Sequence, residues 1–261
     1  MKIANSWYKL SEAQVLAVAP YVLQEMSISN KLKVFEVLLN PIDVPSYAKL
    51  KPDKVLRQLK KVEFLWRENL VEPIIPKFTL FDVEYCLPAH HFTNIKLVEF
   101  AFACDYFDAM MGQGNYKGQK AQPEMLNRLI ATLCRPSKGD DSDGDIRVKF
   151  NENLLDSRAS LFERLSPMVK AYFLLYFLGC KKALSEQFKV LFKKQEGQSD
   201  STKKYYVRPI DYAWFKIIFD LADEGTFGKY EEVCHQNIYT VMHYLTSKYY
   251  DFQELKSESK A

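Results

Sequence analysis

The chain lacks an apolar run of the roughly 20 residues that a membrane-spanning helix requires. Its most apolar stretch, SPMVKAYFLLYFLGCKKALSEQFKVLF at 166–192, has a core at 171–180 that Lys181 and Lys182 close at once. That core is about half a span, so it predicts the buried central helix of a helical protein and argues against membrane insertion. Charge of one sign is missing as well: 36 basic against 33 acidic residues leave a net +3, without the electrostatic footprint of a nucleic-acid binder. Cysteines number five, an odd count, widely spaced and mostly set in apolar context, which argues against a disulfide framework and fits reduced thiols. No CxxC or HExxH pair, GxSxG elbow or phosphate-loop glycine pattern occurs. The glycines of GQGNYKGQK match neither GxGxxG nor GxxxxGK[ST] and follow an expected helix, so they are read as a turn.

What the chain does have is aromatic bulk, 18 Phe and 16 Tyr spread along its length, which excludes a disordered chain and predicts aromatic-rich packing. Ser11 and Gln14 form a capping-box signature, so a helix is expected from about Glu12, interrupted at Pro20. Leu32, Phe35 and Leu39 predict a second helix over 28–39, closed by Pro41. Pro52 suits a first helical turn, and Val55, Leu59, Val62 and Trp66 recur at helical spacing, leaving Lys54, Arg57, Lys60 and Lys61 as a basic outer face. Three prolines within 73–88 predict an extended segment with one short strand. Further helices are expected over 94–111, 123–133, 152–165, 212–222 and 230–249, with IRVKF as a short strand. The fold class that follows is mainly α, an irregular multi-helix bundle with at most one or two short extended segments. KKQEGQSDSTKK reads as a flexible linker. The domain expectation is therefore a helical core over 1–194, a linker over 195–204 and a C-terminal helical segment over 205–261 packed on the core. MKIANSWYKLSEAQ has no apolar core of signal-peptide length, so the chain is expected to start at Met1 and to stay in the cytoplasm of the cell that makes it.

Four constellations carry possible chemistry. Asp141, Asp143, Asp145 and Glu152 stand at positions one, three, five and twelve of a calcium loop, but Ile146 occupies the position that a sharp turn reserves for glycine. The competing reading is a solvated acidic loop, with Arg147 capping or pairing it. Cys86, His90 and His91, and again Cys234, His235 and His243, offer zinc-ligand types without the paired spacing that gives specificity; buried thiols and surface or capping histidines are the plainer account. Asp105 and Asp108 share a helix face and, joined by His90 and His91, define what an enzyme would need; the plainer reading is the polar edge of an amphipathic helix. Lys181, Lys182, Tyr205, Tyr206 and Arg208 interleave charge and aromatics near the linker and are the partner-binding candidates, able to track a nucleic-acid backbone. No catalytic residue, cofactor or resident metal is assigned.

Several segments, in order, carry a likeness. VEFLWRENLVEPIIPKF, YCLPAHHFTNIKLVEFAFACDYF, LNRLIATLCRP followed by DIRVKFNE, then YFLLYFLGCKKAL and FDLADEGTFGKYEEV together span most of 62–233. This succession resembles proteins encoded in the tail and structural modules of tailed phages and prophages. The resemblance implies a non-enzymatic assembly or virion protein, a chaperone or structural component, whose partners are other phage proteins. It brings no active-site residues with it. Oligomerisation through an aromatic helix face is a natural expectation, and the protein would reside in the host cytoplasm or in the virion. The alternative is a nucleic-acid-associated protein using the lysine-rich region around 181–208.

Overall fold

The computed structural model describes residues 4–39, 51–139, 144–192 and 214–258. These are mainly α-helical with one small sheet, as the periodicity predicts. They divide into two compact units, one of Met1–Pro76 with Glu163–Lys182, the other of Lys77–Phe162 with Ala183–Ala261. The expected linker, 195–204, lies outside the described residues.

In the first unit α1 (Glu12–Val22) begins at the expected capping box: the Ser11 hydroxyl accepts from the Gln14 amide at 3.3 Å, and the Ser11 amide donates to Gln14 Oε1 at 3.0 Å. Pro20 falls in its last turn, where it removes the amide that would donate to the Leu16 carbonyl, and the helix stops two residues later. α2 (Ile28–Leu38) packs against it, capped by Ser27. The helix after Pro52 breaks into α3 (Pro52–Leu59), a tight 3₁₀ turn and α4 (Phe64–Arg67), with Leu59, Val62 and Leu65 buried and the basic face exposed as expected. Both ends of this unit are tied by indoles: Trp7 donates to the Glu68 carbonyl at 3.1 Å, and Trp66 to that of Gln24 at 3.0 Å.

The apolar stretch becomes α8 (Pro167–Gln187), numbered after the helices introduced below, and residues 171–173, 176, 177 and 180 are buried. It approaches the 70–75 segment closely enough for the Tyr172 hydroxyl to accept from the Ile75 amide at 2.9 Å. A Cβ at Gly179 would lie 2.2 Å from the Leu70 carbonyl oxygen, so only glycine admits this approach.

The second unit holds the sheet. Residues 73–88, expected to give one strand, instead fold into a hairpin of β1 (Lys77–Leu80) and β2 (Val83–Cys86), pairing antiparallel from Lys77↔Cys86 to Leu80↔Val83. The turn is Phe81-Asp82, both at positive φ of 49° and 59°. β3 is Arg135–Pro136, paired to β2 through Cys86↔Arg135; the IRVKF segment adds only a bridge, Ser137↔Arg147. Helices α5 (Leu97–Met111), α6 (Met125–Leu133) and α7 (Leu155–Phe162) pack in succession. After α8 come α9 (Lys189–Phe192), α10 (Trp214–Asp223), α11 (Tyr230–Cys234) and α12 (Ile238–Glu258). The expected 230–249 helix is thus split, and its second half runs nine residues further. The split is tertiary in origin: the Leu97 amide donates to the Gln236 carbonyl at 2.9 Å and the Ile238 amide to the Ile95 carbonyl at 3.2 Å, pulling 236–238 out of helical pairing. Asn237 then caps α12, accepting from the Tyr239 amide at 2.9 Å.

Candidate interaction surface

The buried core of the second unit contains charge. Arg135, Arg147 and Glu99 are each 1% exposed. Arg135 Nη2 donates to Glu99 Oε1 at 3.0 Å and to Asp145 Oδ2 at 3.1 Å. Arg147 grips Asp145 with Nε at 2.8 Å and Nη2 at 2.9 Å, and its Nη2 lies 3.3 Å from Glu99 Oε2. Its Nη1 also donates to the Leu133 carbonyl at 2.9 Å, at the C-terminus of α6, where a cation complements the helix dipole. Arg147 therefore pairs Asp145 of the acidic loop, as expected, and in addition caps α6, which was not expected. Burial pushes the Glu99 carboxyl above its usual range while the Arg147 and Arg135 guanidinia pull it back, and burial brings Arg135 down to about 10. Two guanidinia against two carboxylates leave no net charge here, and the arrangement works as an internal strut tying α5, α6 and the loop before Arg147.

This strut decides what can be said of the calcium pattern. Asp145 spends its carboxylate on two arginines, Ile146 is outside the left-handed region, and Glu152 opens an exposed 3₁₀ turn. Asp141 and Asp143 lie outside the described residues. Among the described residues no group of three or more His, Cys, Asp or Glu side chains gathers to hold a metal, so neither zinc triple is brought together. All five cysteines are buried. Burial pushes the Cys86, Cys134 and Cys234 thiols up, which makes them poor nucleophiles. Asp105 accepts from the Tyr116 hydroxyl at 3.0 Å; burial, with that bond second, raises the phenol to about 12. Asp108, on the same helix, is buried against the turn at Gly114. Both carboxylates thus serve the loop that follows their own helix.

Of the partner-binding candidates, Lys181 is half-buried with its ammonium 5.9 Å from the centre of the Phe177 ring, and Lys182 is exposed. Tyr205, Tyr206 and Arg208 lie outside the described residues.

The open apolar feature lies elsewhere, on α9, α10 and α12, and sequence reasoning did not single it out. α10 turns Trp214, Ile218 and Leu221 inward, one per helical turn, with Trp214 edge-on to Phe100 at 4.8 Å. Its next face, carrying Ile217, meets Leu191 and Phe192 from α9 and Met242, Leu245 and Phe252 from α12. Together they wall a groove of about 350 Å³. At its rim the Lys248 ammonium is 2.6 Å from Glu224 and 5.5 Å from the centre of the Tyr244 ring; the Glu224 hydrogen bond holds that ammonium above its usual range. Phe252, 62% exposed, and Leu255, 65% exposed, continue the apolar face beyond the groove. Such a surface has the shape and apolar area that protein-contact faces present. The signal was present in the sequence as Phe252 and Leu255 at helical spacing, hidden in a polar tail.

Compared with protein-family models, with curated proteins and with solved structures, the chain matches none. No helix among the described residues is long and apolar enough to cross a membrane.

Proposed function

We propose that this chain is a non-enzymatic protein that works by holding other proteins on the groove between α9, α10 and α12. Its setting is the assembly of a phage tail or virion, as a chaperone or a structural part, in the host cytoplasm or in the particle. The observation that supports a contact function is the run of apolar side chains from the groove out to Phe252 and Leu255, more than half exposed at its outer end. An exposed aromatic costs solubility unless a partner covers it, and aromatic anchors dominate the energetics of protein contacts. The order of segments that resembles phage structural-module proteins supports the identity of the partners.

The test is affinity capture of the tagged chain from its producing cells at moderate salt, with mass spectrometry of what comes along. Tail or capsid proteins are expected with the native chain, and their recovery should fall at least tenfold with Phe252→Glu, an exposed substitution that leaves the core alone. Recovery of nucleic acid alone, or of nothing, overturns the reading; undiminished recovery with Phe252→Glu moves the contact off the groove.

A further inference from the structure

α7 turns Leu155, Arg158, Ala159 and Phe162 inward at the spacing of a helical core stripe, and one of the four is a cation. Arg158 is 6% exposed. Its hydrogen bond within the protein runs from Nη1 to the Ala131 carbonyl at 3.2 Å, in the last turn of α6. Among the described residues no carboxylate pairs with it: Asp156 of the same helix goes to Arg128 at 2.9 Å, and Glu99 and Asp145 are held by Arg135 and Arg147. Burial brings the guanidinium down, and its electrostatic neighbours are the Tyr85 phenol and the Cys134 thiol. That thiol is itself pushed up by burial and carries no charge to offset the cation. Capping α6 uses one of five N–H donors, so Nε and Nη2, the two-pronged edge, donate to nothing in the protein. Unlike Arg135 Nε, they are not sealed from water. The surroundings are aromatic: Tyr85, 4% exposed, meets Phe162 edge-on at 5.1 Å and stacks on the half-buried Phe78 at 5.4 Å.

A guanidinium taken out of water without a counter-charge is destabilising, and an anion that reaches it relieves that cost. We infer that Arg158, Tyr85 and Phe78 form a binding site for a carboxylate carried on an apolar stem. The two oxygens of a carboxylate match the parallel Nε–H and Nη2–H donors, and the Tyr85 hydroxyl supplies a further donor beside them. The stem lies against Phe78, the ring of the stack that stays partly open. One guanidinium balances the single charge of a carboxylate, whereas a phosphate brings more charge and more oxygens than this edge can serve. The site shares no residue with the groove and does not rest on the proposed assembly role.

Sodium benzoate is the probe, titrated at constant ionic strength into the full chain with isotopically labelled arginine, the Arg158 Nε–H resonance being assigned by its loss in Arg158→Lys. The expected result is a saturable shift of that resonance with a dissociation constant of about 1–10 mM. Benzamide, alike in shape without the charge, and inorganic phosphate should each bind at least tenfold more weakly. Arg158→Lys keeps the charge and loses the fork, so benzoate, followed by its own resonance, should bind it about tenfold more weakly. Tyr85→Phe removes one hydroxyl and leaves the stack, and should weaken binding several-fold; it carries the variant test alone if Arg158→Lys fails to fold by circular dichroism. No saturable shift up to about 50 mM benzoate overturns the inference and leaves Arg158 as a helix cap. Equal binding of phosphate overturns the carboxylate assignment, equal binding of benzamide removes the guanidinium from recognition, and binding indifferent to both substitutions places the ligand elsewhere.

Discussion

At the scale of single residues, the decisive positions are charged ones under cover. Arg147 is 0% exposed in its side chain and faces both Asp145 and Glu99. Removing it leaves Glu99 beside Arg135 only and strands the Leu133 carbonyl. Arg147→Ala should therefore cost about 3–5 kcal/mol in urea unfolding, the range for breaking a buried pair by deleting one partner. Arg147→Lys should lie in between, since an ammonium keeps the charge but cannot make the two-pronged contact to Asp145. If Arg147→Ala unfolds at the native midpoint, the strut is ornamental. Glu63 gives a prediction in pH. The Lys31 ammonium, 2.6 Å from it, and Arg67 hold its carboxyl below the ordinary value of 4.5. A carboxylate lowered on folding adds stability above its unfolded value and loses it as pH falls through the folded one. The gap in stability between the native chain and Glu63→Gln should be widest at neutral pH and close progressively below about 4.5. A gap that stays constant from pH 7 down to about 3 would mean the pair contributes nothing through ionisation.

At the scale of elements, α8 makes the sharpest claim, because two rules disagree there. An exposed helical Gly→Ala ordinarily stabilises by about 1 kcal/mol. At Gly179 the added Cβ would stand 2.2 Å from a backbone oxygen that no side-chain rotation can move. Gly179→Ala should therefore destabilise, by about 1–3 kcal/mol, through overpacking. A raised denaturation midpoint would show that α8 and the 70–75 segment are not in contact. Helices were legible in the sequence where the pattern is local: the Ser11 capping box, the Pro52 start and the apolar faces of α5 and α6 stand within a few residues of their expected bounds. What was illegible came from distant partners or from turn residues that give no signal. The break before α12 exists because 95–97 claims the backbone of 236–238, and no Gly or Pro there announces it. Phe81-Asp82 adopts a left-handed turn that Asn-Gly would advertise and Phe does not, so a hairpin read as one strand. The groove followed the same logic: its walls come from three helices, each of which shows only an ordinary amphipathic face.

At the scale of the whole molecule, the question is where the charge goes. The net +3 is spread over 36 cations and 33 anions. Several cations are already engaged: Arg135 and Arg147 with buried acids, Lys31 with Glu63, Lys248 with Glu224 and Arg128 with Asp156. The exposed basic face of α3 and the 3₁₀ turn after it, with Lys54, Arg57, Lys60 and Lys61, is interrupted by Asp53 and followed by the half-buried Glu63. Affinity for a nucleic-acid backbone grows with the number of phosphates neutralised at once, and cations already paired with carboxylates contribute less to it. A duplex of random sequence should therefore bind no better than the nonspecific range, with a dissociation constant weaker than about 10 μM at 150 mM salt. Fluorescence anisotropy with a labelled duplex and a labelled single strand measures this directly. Submicromolar binding that collapses steeply between 50 and about 200 mM salt would instead make Lys181, Lys182, Tyr205, Tyr206 and Arg208 the working surface, and alanine at Tyr205 and Tyr206 would then weaken the single strand more than the duplex, because stacking needs an unpaired base. Weak binding to both leaves the apolar face of α12 as the surface with a free-energy reason to find a partner.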